Sequence, residues 1–173
     1  MCFCFLLAHS VLSRLPLCPK QSRVVSLGDE LTLVVTAIIA TSDSPPLLLI
    51  ATNLHACVDP PYVARWHRHM QLLSDFLTRI PVDQPVVLCG DLNTTAFRPE
   101  FAALLRTHAL IDAHQHTGRG LSLSWGLTAS LAWCPLARLD HVLVRKCAVR
   151  ALRNLESAAG SDHWPLALDL EWS

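Results

Sequence analysis

Three short runs of almost unbroken apolar sequence constrain this chain most: residues 31–40 (LTLVVTAIIA), 47–54 (LLLIATNL) and 86–89 (VVLC). A strand wet on one face alternates polar and apolar residues. These runs do not, so they read as strands of a sheet covered on both faces. For residues 47–54, shortness and the flanking Pro45 and Pro46 disfavour a buried helix. Between the second and third runs the spacing predicts a helix. Asp59 caps it, Pro60 and Pro61 fill its first turn, and Val63, Trp66, Met70, Leu73 and Leu77 recur at three and four. His67 and His69 fall on its polar side and, two apart, cannot chelate from one face. A second helix runs from Pro99 to about His108 and buries Phe101, Leu104 and Leu105. The last strands are residues 141–145, 147–152 and 165–171. Strands interleaved with two helices make a mixed α/β layered fold. No linker, repeat or low-complexity tract divides the chain, so residues 1–173 read as a single domain.

Composition excludes several classes. With 51% apolar and 16% charged residues the chain is not a disordered polymer. Its net charge is zero, which removes the global basic footprint of a DNA-coating protein but not a local nucleic-acid patch. The seven cysteines (Cys2, Cys4, Cys18, Cys57, Cys89, Cys134, Cys147) are odd in number and contain no C-x-x-C. They read as reduced core residues rather than a disulfide framework. Residues 1–8 form an apolar run without a positive leader, too short to span a bilayer. The expectation is a cytoplasmic protein with no transmembrane segment; a weak secretion signal is the alternative.

Three polar signatures then come in order at predicted strand ends: Gly90-Asp91-Leu92-Asn93, Arg138-Leu139-Asp140-His141 and Gly160-Ser161-Asp162-His163. Hydrolysis of a phosphate ester needs carboxylates for a cation, a base for water and donors for phosphoryl oxygens, and these residues supply all three. Gly90 would let a ligand or metal approach the backbone. Asp91 and Asn93 share a side if the chain stays extended. The competing reading of this motif is an Asx turn closing a strand. For Arg138 and Asp140 it is a surface ion pair, and for Ser161-Asp162-His163 a capping turn with a solvated histidine. Asp112, His114 and His116 read as a solvated loop, since no spaced partner supports zinc. Trp125 and Trp133 read as core filling before base stacking.

The order and wording of these motifs resemble the endonuclease/exonuclease/phosphatase (DNase I-like) superfamily. That resemblance implies an α/β, four-layer α/β/β/α sandwich and a metal-dependent phosphoesterase. By it, Asp91 holds and deprotonates the attacking water, and Asn93 donates to a phosphoryl oxygen. Asp140 orients His163, the acid/base, while Asp162 with Asp91 would ligate Mg²⁺ or Mn²⁺. His55 contacts the phosphate, although Asn53 on the same strand face could take that place. The substrate would be a phosphate ester, with nucleic acid among the candidates. Residues 8–17, with Ser13-Arg14-Leu15-Pro16, resemble a strand and turn found mid-domain. On that match the domain is N-terminally incomplete and lacks the strand bearing the family's metal-ligand glutamate, for which Glu30 is a poor stand-in. The rival expectation is therefore a non-catalytic remnant acting at most as a binding module.

Overall fold

The computed structural model describes Cys18 and residues 22–27, 33–39, 44–117, 122–126, 134–155 and 160–172. The expected mid-domain turn at residues 8–17, the Gly28-Asp29 hairpin turn, Glu30, the start of the loop at Gly118 and Trp133 lie outside the described residues. In chain order the elements are β1 (Arg23–Ser26), β2 (Leu33–Ile39), β3 (Leu47–Asn53), α1 (Pro60–Thr78), β4 (Val86–Asp91), α2 (Pro99–Thr107), β5 (Ile111–Asp112), α3 (Ala113–Thr117), β6 (Asp140–Arg145), β7 (Ala148–Asn154) and β8 (Leu166–Glu171).

β1 to β6 form one six-stranded sheet in the order β1-β2-β3-β4-β6-β5, and among the described residues β7 and β8 form a second, two-stranded sheet. β3 and β4 are parallel, and the crossover such a pair requires is α1. Asp59 starts this helix as expected, accepting from the Tyr62 N–H at 3.1 Å. The apolar runs have no wet face because both faces of the sheet are covered. Ile50, Leu88 and Leu143 point toward α1 and α2, against Trp66, Leu73, Leu77, Phe101 and Leu104. Their neighbours Leu49, Ala51, Val87, Cys89, Val142 and Val144 point the other way, toward Leu166, Leu168 and Leu170 of β8. The mixed α/β architecture holds. Among the described residues it comprises three layers: α1 with α2, the large sheet, and the β7–β8 ribbon with α3 beside it. No described helix is long and apolar enough to cross a membrane.

His69 departs from its expected polar position and is fully buried. It lies three residues after Trp66, on the same stripe, and its ring faces His55 at 5.8 Å. Asp112 is not solvated either: it is buried and held by both NH1 contacts of Arg138, at 3.0 and 2.9 Å. Arg138 thus pairs with Asp112 rather than Asp140.

At the sheet end away from Asp91, buried Arg145 donates to three carbonyls: Pro81 at 2.8 Å, His108 at 3.3 Å and Gln84 at 3.4 Å. These lie just beyond α1 and at the end of α2, where helix dipoles favour a cation. Arg145→Met should cost about 2–4 kcal/mol, because three acceptors, the buried His108 carbonyl among them, lose their donor together. A urea melt measures this, and an unchanged midpoint would show that the three contacts are dispensable.

Candidate active site

The strand register assembles the site. Asn53 of β3 pairs with Asp91 of β4, and Asp91 with Asp140 of β6. Strand alternation puts these three side chains on the face of Ala51, Cys89 and Val142, toward the second sheet. The row behind them, Thr52, Gly90 and His141, points toward the helices. Gly90 thus lies on the helix side of the sheet, opposite the Asp91 side chain. A Cβ there would lie 1.8 Å from the Thr52 carbonyl oxygen, so glycine is required by the neighbouring strand.

After Asp91 the chain turns rather than staying extended, and Asn93 takes the left-handed conformation at φ 47°. Its backbone N–H donates to Asp91 Oδ1 at 2.8 Å. Its side-chain amide donates to Asp91 Oδ2 at 2.9 Å and to the Leu54 carbonyl at 2.7 Å. The Asx turn and the convergence of the two residues are thus one feature. Both amide hydrogens of Asn93 are used in fixing Asp91 and the loop after β3, so Asn93 acts as a brace for the carboxylate.

Asp140 Oδ2 accepts from His163 Nδ1 at 2.8 Å, which leaves Nε2 facing Asp91 Oδ2 at 3.9 Å. The same Oδ2 accepts the Ser124 hydroxyl at 2.6 Å. That hydroxyl oxygen in turn takes the N–H groups of Asp140 and Leu139, at 3.1 and 3.3 Å. Ser124 is fully buried and fixes Asp140, as Asp140 fixes His163. Nothing in the sequence singled it out. The next residue, Trp125, is not core filling: it lines the cleft, and its indole N–H donates to Asp162 Oδ2 at 3.3 Å. The Gly126 N–H holds the Asp162 carbonyl at 2.9 Å, so residues 124–126 tie the second and third motifs together.

These groups face a cleft of about 680 Å³ lined by Asn53, His55, Asp91, Asn93, Asp162 and His163 among others. Asp140 lies behind His163. His55 reaches the cleft with Arg65 NH1 3.4 Å from its Nε2 and the Tyr62 ring 5.2 Å away. Both Asn53 and His55 therefore line the wall, and the choice between them is not exclusive. Burial and the charges of Asp140 and Asp162 push Asp91 up to about 7, against the Asn93 N–H and His163. Burial opposes the His163 imidazolium, but its hydrogen bond to Asp140 and the surrounding carboxylates raise it above its ordinary value. His141, buried on the other face against Phe101, is held neutral, with burial lowering it to about 4.

Among the described residues no three His, Cys, Asp or Glu side chains converge enough to chelate a metal ion. Among the described lining residues, Asp91 and Asp162 are the carboxylates at the cleft. This donor set does not fit a closed zinc or calcium cage. It fits a hard cation that retains water and completes its shell with a substrate phosphate, as Mg²⁺ does. The crowding that raises Asp91 is also what a cation would relieve.

The sequence profile described as Endonuclease/Exonuclease/phosphatase family matches residues 9–163. The chain belongs to that family. Solved structures share the fold. An endonuclease/exonuclease/phosphatase from Beutenbergia cavernae is 20% identical with a TM-score of 0.69, over 94% of this chain and 47% of its own. D. rerio TDP2 complexed with single-strand DNA product is 17% identical, TM-score 0.68, over 87% and 67%. A mannosyl-6-phosphatase from Bacteroides thetaiotaomicron is 15% identical, TM-score 0.62, over 88% and 68%. The chain thus spans about half of the first structure and two thirds of the others. No curated protein matches it.

Ser124 gives a direct test of this arrangement. Ser124→Ala leaves two N–H groups without their acceptor and removes one donor from Asp140. Stability should fall by about 1–2 kcal/mol. The His163 imidazole, facing a less satisfied carboxylate, should titrate at higher pH by NMR. An unmoved His163 titration would mean that Ser124 does not act through Asp140.

Proposed function

We propose that this protein hydrolyses phosphate esters, as a phosphodiesterase, nuclease or phosphatase dependent on Mg²⁺ or Mn²⁺. The observation that carries this reading is the facing pair: Asp91 Oδ2 and His163 Nε2, 3.9 Å apart at one cleft, each held from behind. A base with a pKa near 7 and an imidazole raised by Asp140 suit proton transfer near neutral pH. Water loses a proton to Asp91 as its oxygen bonds to phosphorus. The ester P–O bond breaks, and protonated His163 delivers its proton to the leaving oxygen. Transfer of the proton from Asp91 to His163 then resets the pair. Asn93 keeps the Asp91 carboxylate in place throughout, and His55 is positioned to contact the phosphoryl oxygens. Asp91 and Asp162 would hold the cation, which supplies Lewis-acid stabilisation of phosphoryl charge when bound. Relatives of this fold include a protein bound to single-strand DNA and a sugar phosphatase, so both ester classes belong in the substrate screen.

A second reading, a non-catalytic binding module, is favoured by the absence of three converging metal ligands among the described residues. Turnover of bis(4-nitrophenyl) phosphate with and without Mg²⁺ or Mn²⁺ separates the two. Metal-dependent hydrolysis that falls at least about 100-fold in both Asp91→Ala and His163→Ala is expected for the enzyme. A folded, inactive wild type would establish the binding module instead.

A further inference from the structure

The cleft poses an electrostatic problem. Asp91, Asp140 and Asp162 are clustered in it or behind it, and any phosphate ester arrives negatively charged. Among the described lining residues the one permanent cation is Arg98. Arg98 precedes α2 at its N-cap position, yet its side chain makes no capping hydrogen bond. No described carboxylate pairs with it. Its guanidinium lies instead over the Trp66 ring, 4.9 Å from the centroid. Trp66 is fully buried and anchored by its indole N–H to the Leu92 carbonyl at 2.9 Å, one residue from Asp91. A guanidinium stacked on a fixed aromatic face keeps its in-plane N–H fork available at low entropic cost, and that fork matches two oxygens of a phosphoryl group.

We propose that Arg98 is the anion clamp of this cleft, gripping two non-bridging oxygens of the substrate's phosphoryl group from the α2 side while Trp66 holds the guanidinium flat. This rests on the phosphate-ester reading for its substrate, but the clamp itself requires only a tetrahedral oxyanion. Arg98 offers compensation for the carboxylate cluster without entering proton transfer, so it governs binding more than turnover.

Two measurements on the full chain test it. The first is calorimetric titration with inorganic phosphate in metal-free buffer. The second is steady-state hydrolysis of bis(4-nitrophenyl) phosphate. Arg98→Met keeps an unbranched stem over Trp66, and Arg98→Gln is the substitute should the methionine variant not fold. Phosphate affinity is expected to fall about 10- to 100-fold in either, with KM rising by a similar factor and kcat nearly unchanged. Arg98→Lys, which keeps the charge but not the fork, should recover part of the affinity, which a merely structural arginine would not do. Phosphate affinity equal to wild type in the neutral variants overturns the clamp whatever the turnover. So does a wild type that binds no phosphate. A wild type that binds phosphate through Arg98 yet hydrolyses nothing leaves the clamp standing and removes the hydrolytic reading.

Discussion

Asp91→Asn should sharply reduce hydrolysis and, above neutral pH, make the protein more stable. Asp91 titrates at about 7 in the fold against an ordinary 3.8, so the native state favours its protonated form. That stabilisation is complete below pH 3.8 and is lost as pH rises through 7. Over about three pH units the loss integrates to ~4 kcal/mol, an upper figure for a crowded carboxylate. Asparagine cannot ionise, so the variant escapes the loss. It sacrifices something in return, because Asn93 directs N–H groups at both Asp91 oxygens and an amide accepts with only one. The net gain should be about 1–2 kcal/mol at pH 8, or roughly 3–6 °C in Tm, in metal-free buffer. It should vanish near pH 4, where the wild-type carboxyl is already neutral. Adding Mg²⁺ should raise the wild-type Tm and leave the variant nearly unmoved. Hydrolysis should fall by about 10²–10⁴ with the base removed. A variant less stable than wild type at pH 8 would show that the three carboxylates do not repel one another.

Most of the scaffold was legible because it rests on local pattern. The runs at 47–54 and 86–89 contain the information that both faces are buried, and Asp59 with two prolines marks the start of α1. The three polar signatures were legible as chemistry, and their meeting place followed from resemblance. What makes them meet is long-range. The pairing of Asp91 with Asp140 is a fact of β4–β6 register, absent from either motif alone. Ser124 is one serine in a run of Leu and Ser, and its value arises from lying 2.6 Å from a carboxylate sixteen residues later. Trp125 is illegible for the same reason: an indole fills cores by default, and only the position of Asp162 gives its N–H a partner at the cleft. His69 differs in kind: its side-chain chemistry points to solvent, while its angle on the helix places it on the apolar stripe with Trp66. Arg98 was invisible because a lone arginine before a helix gives no sign of the ring beneath it.

The largest structural effect should come from a single methyl group. Gly90→Ala places a Cβ 1.8 Å from the Thr52 carbonyl oxygen and 3.0 Å from its carbon, at a φ of +143° that side-chain-bearing residues rarely adopt. The obstacle is backbone of β3, bonded in register to β4, so no rotamer change relieves it. The strands must part where they deliver Asn53 and Asp91. A cost above about 4 kcal/mol is expected, a large share of the ~5–15 kcal/mol that holds a typical domain together. Gly160→Ala is the matched control. Its φ is also positive, at +89°, but the added Cβ meets nothing within 4 Å among the described residues, so only the backbone penalty applies, about 1–2 kcal/mol. Thermal melts of the two variants should therefore separate widely, with Gly90→Ala unfolded or recovered only in part and Gly160→Ala folded. A Gly90→Ala protein melting with wild type would mean that β3 and β4 are not paired as described, and the alignment of Asp91 with Asp140 would fall with that pairing. The glycine and the aspartate of one motif thus serve opposite faces of the same sheet: the first admits the neighbouring strand on the helix side so that the second can reach the cleft.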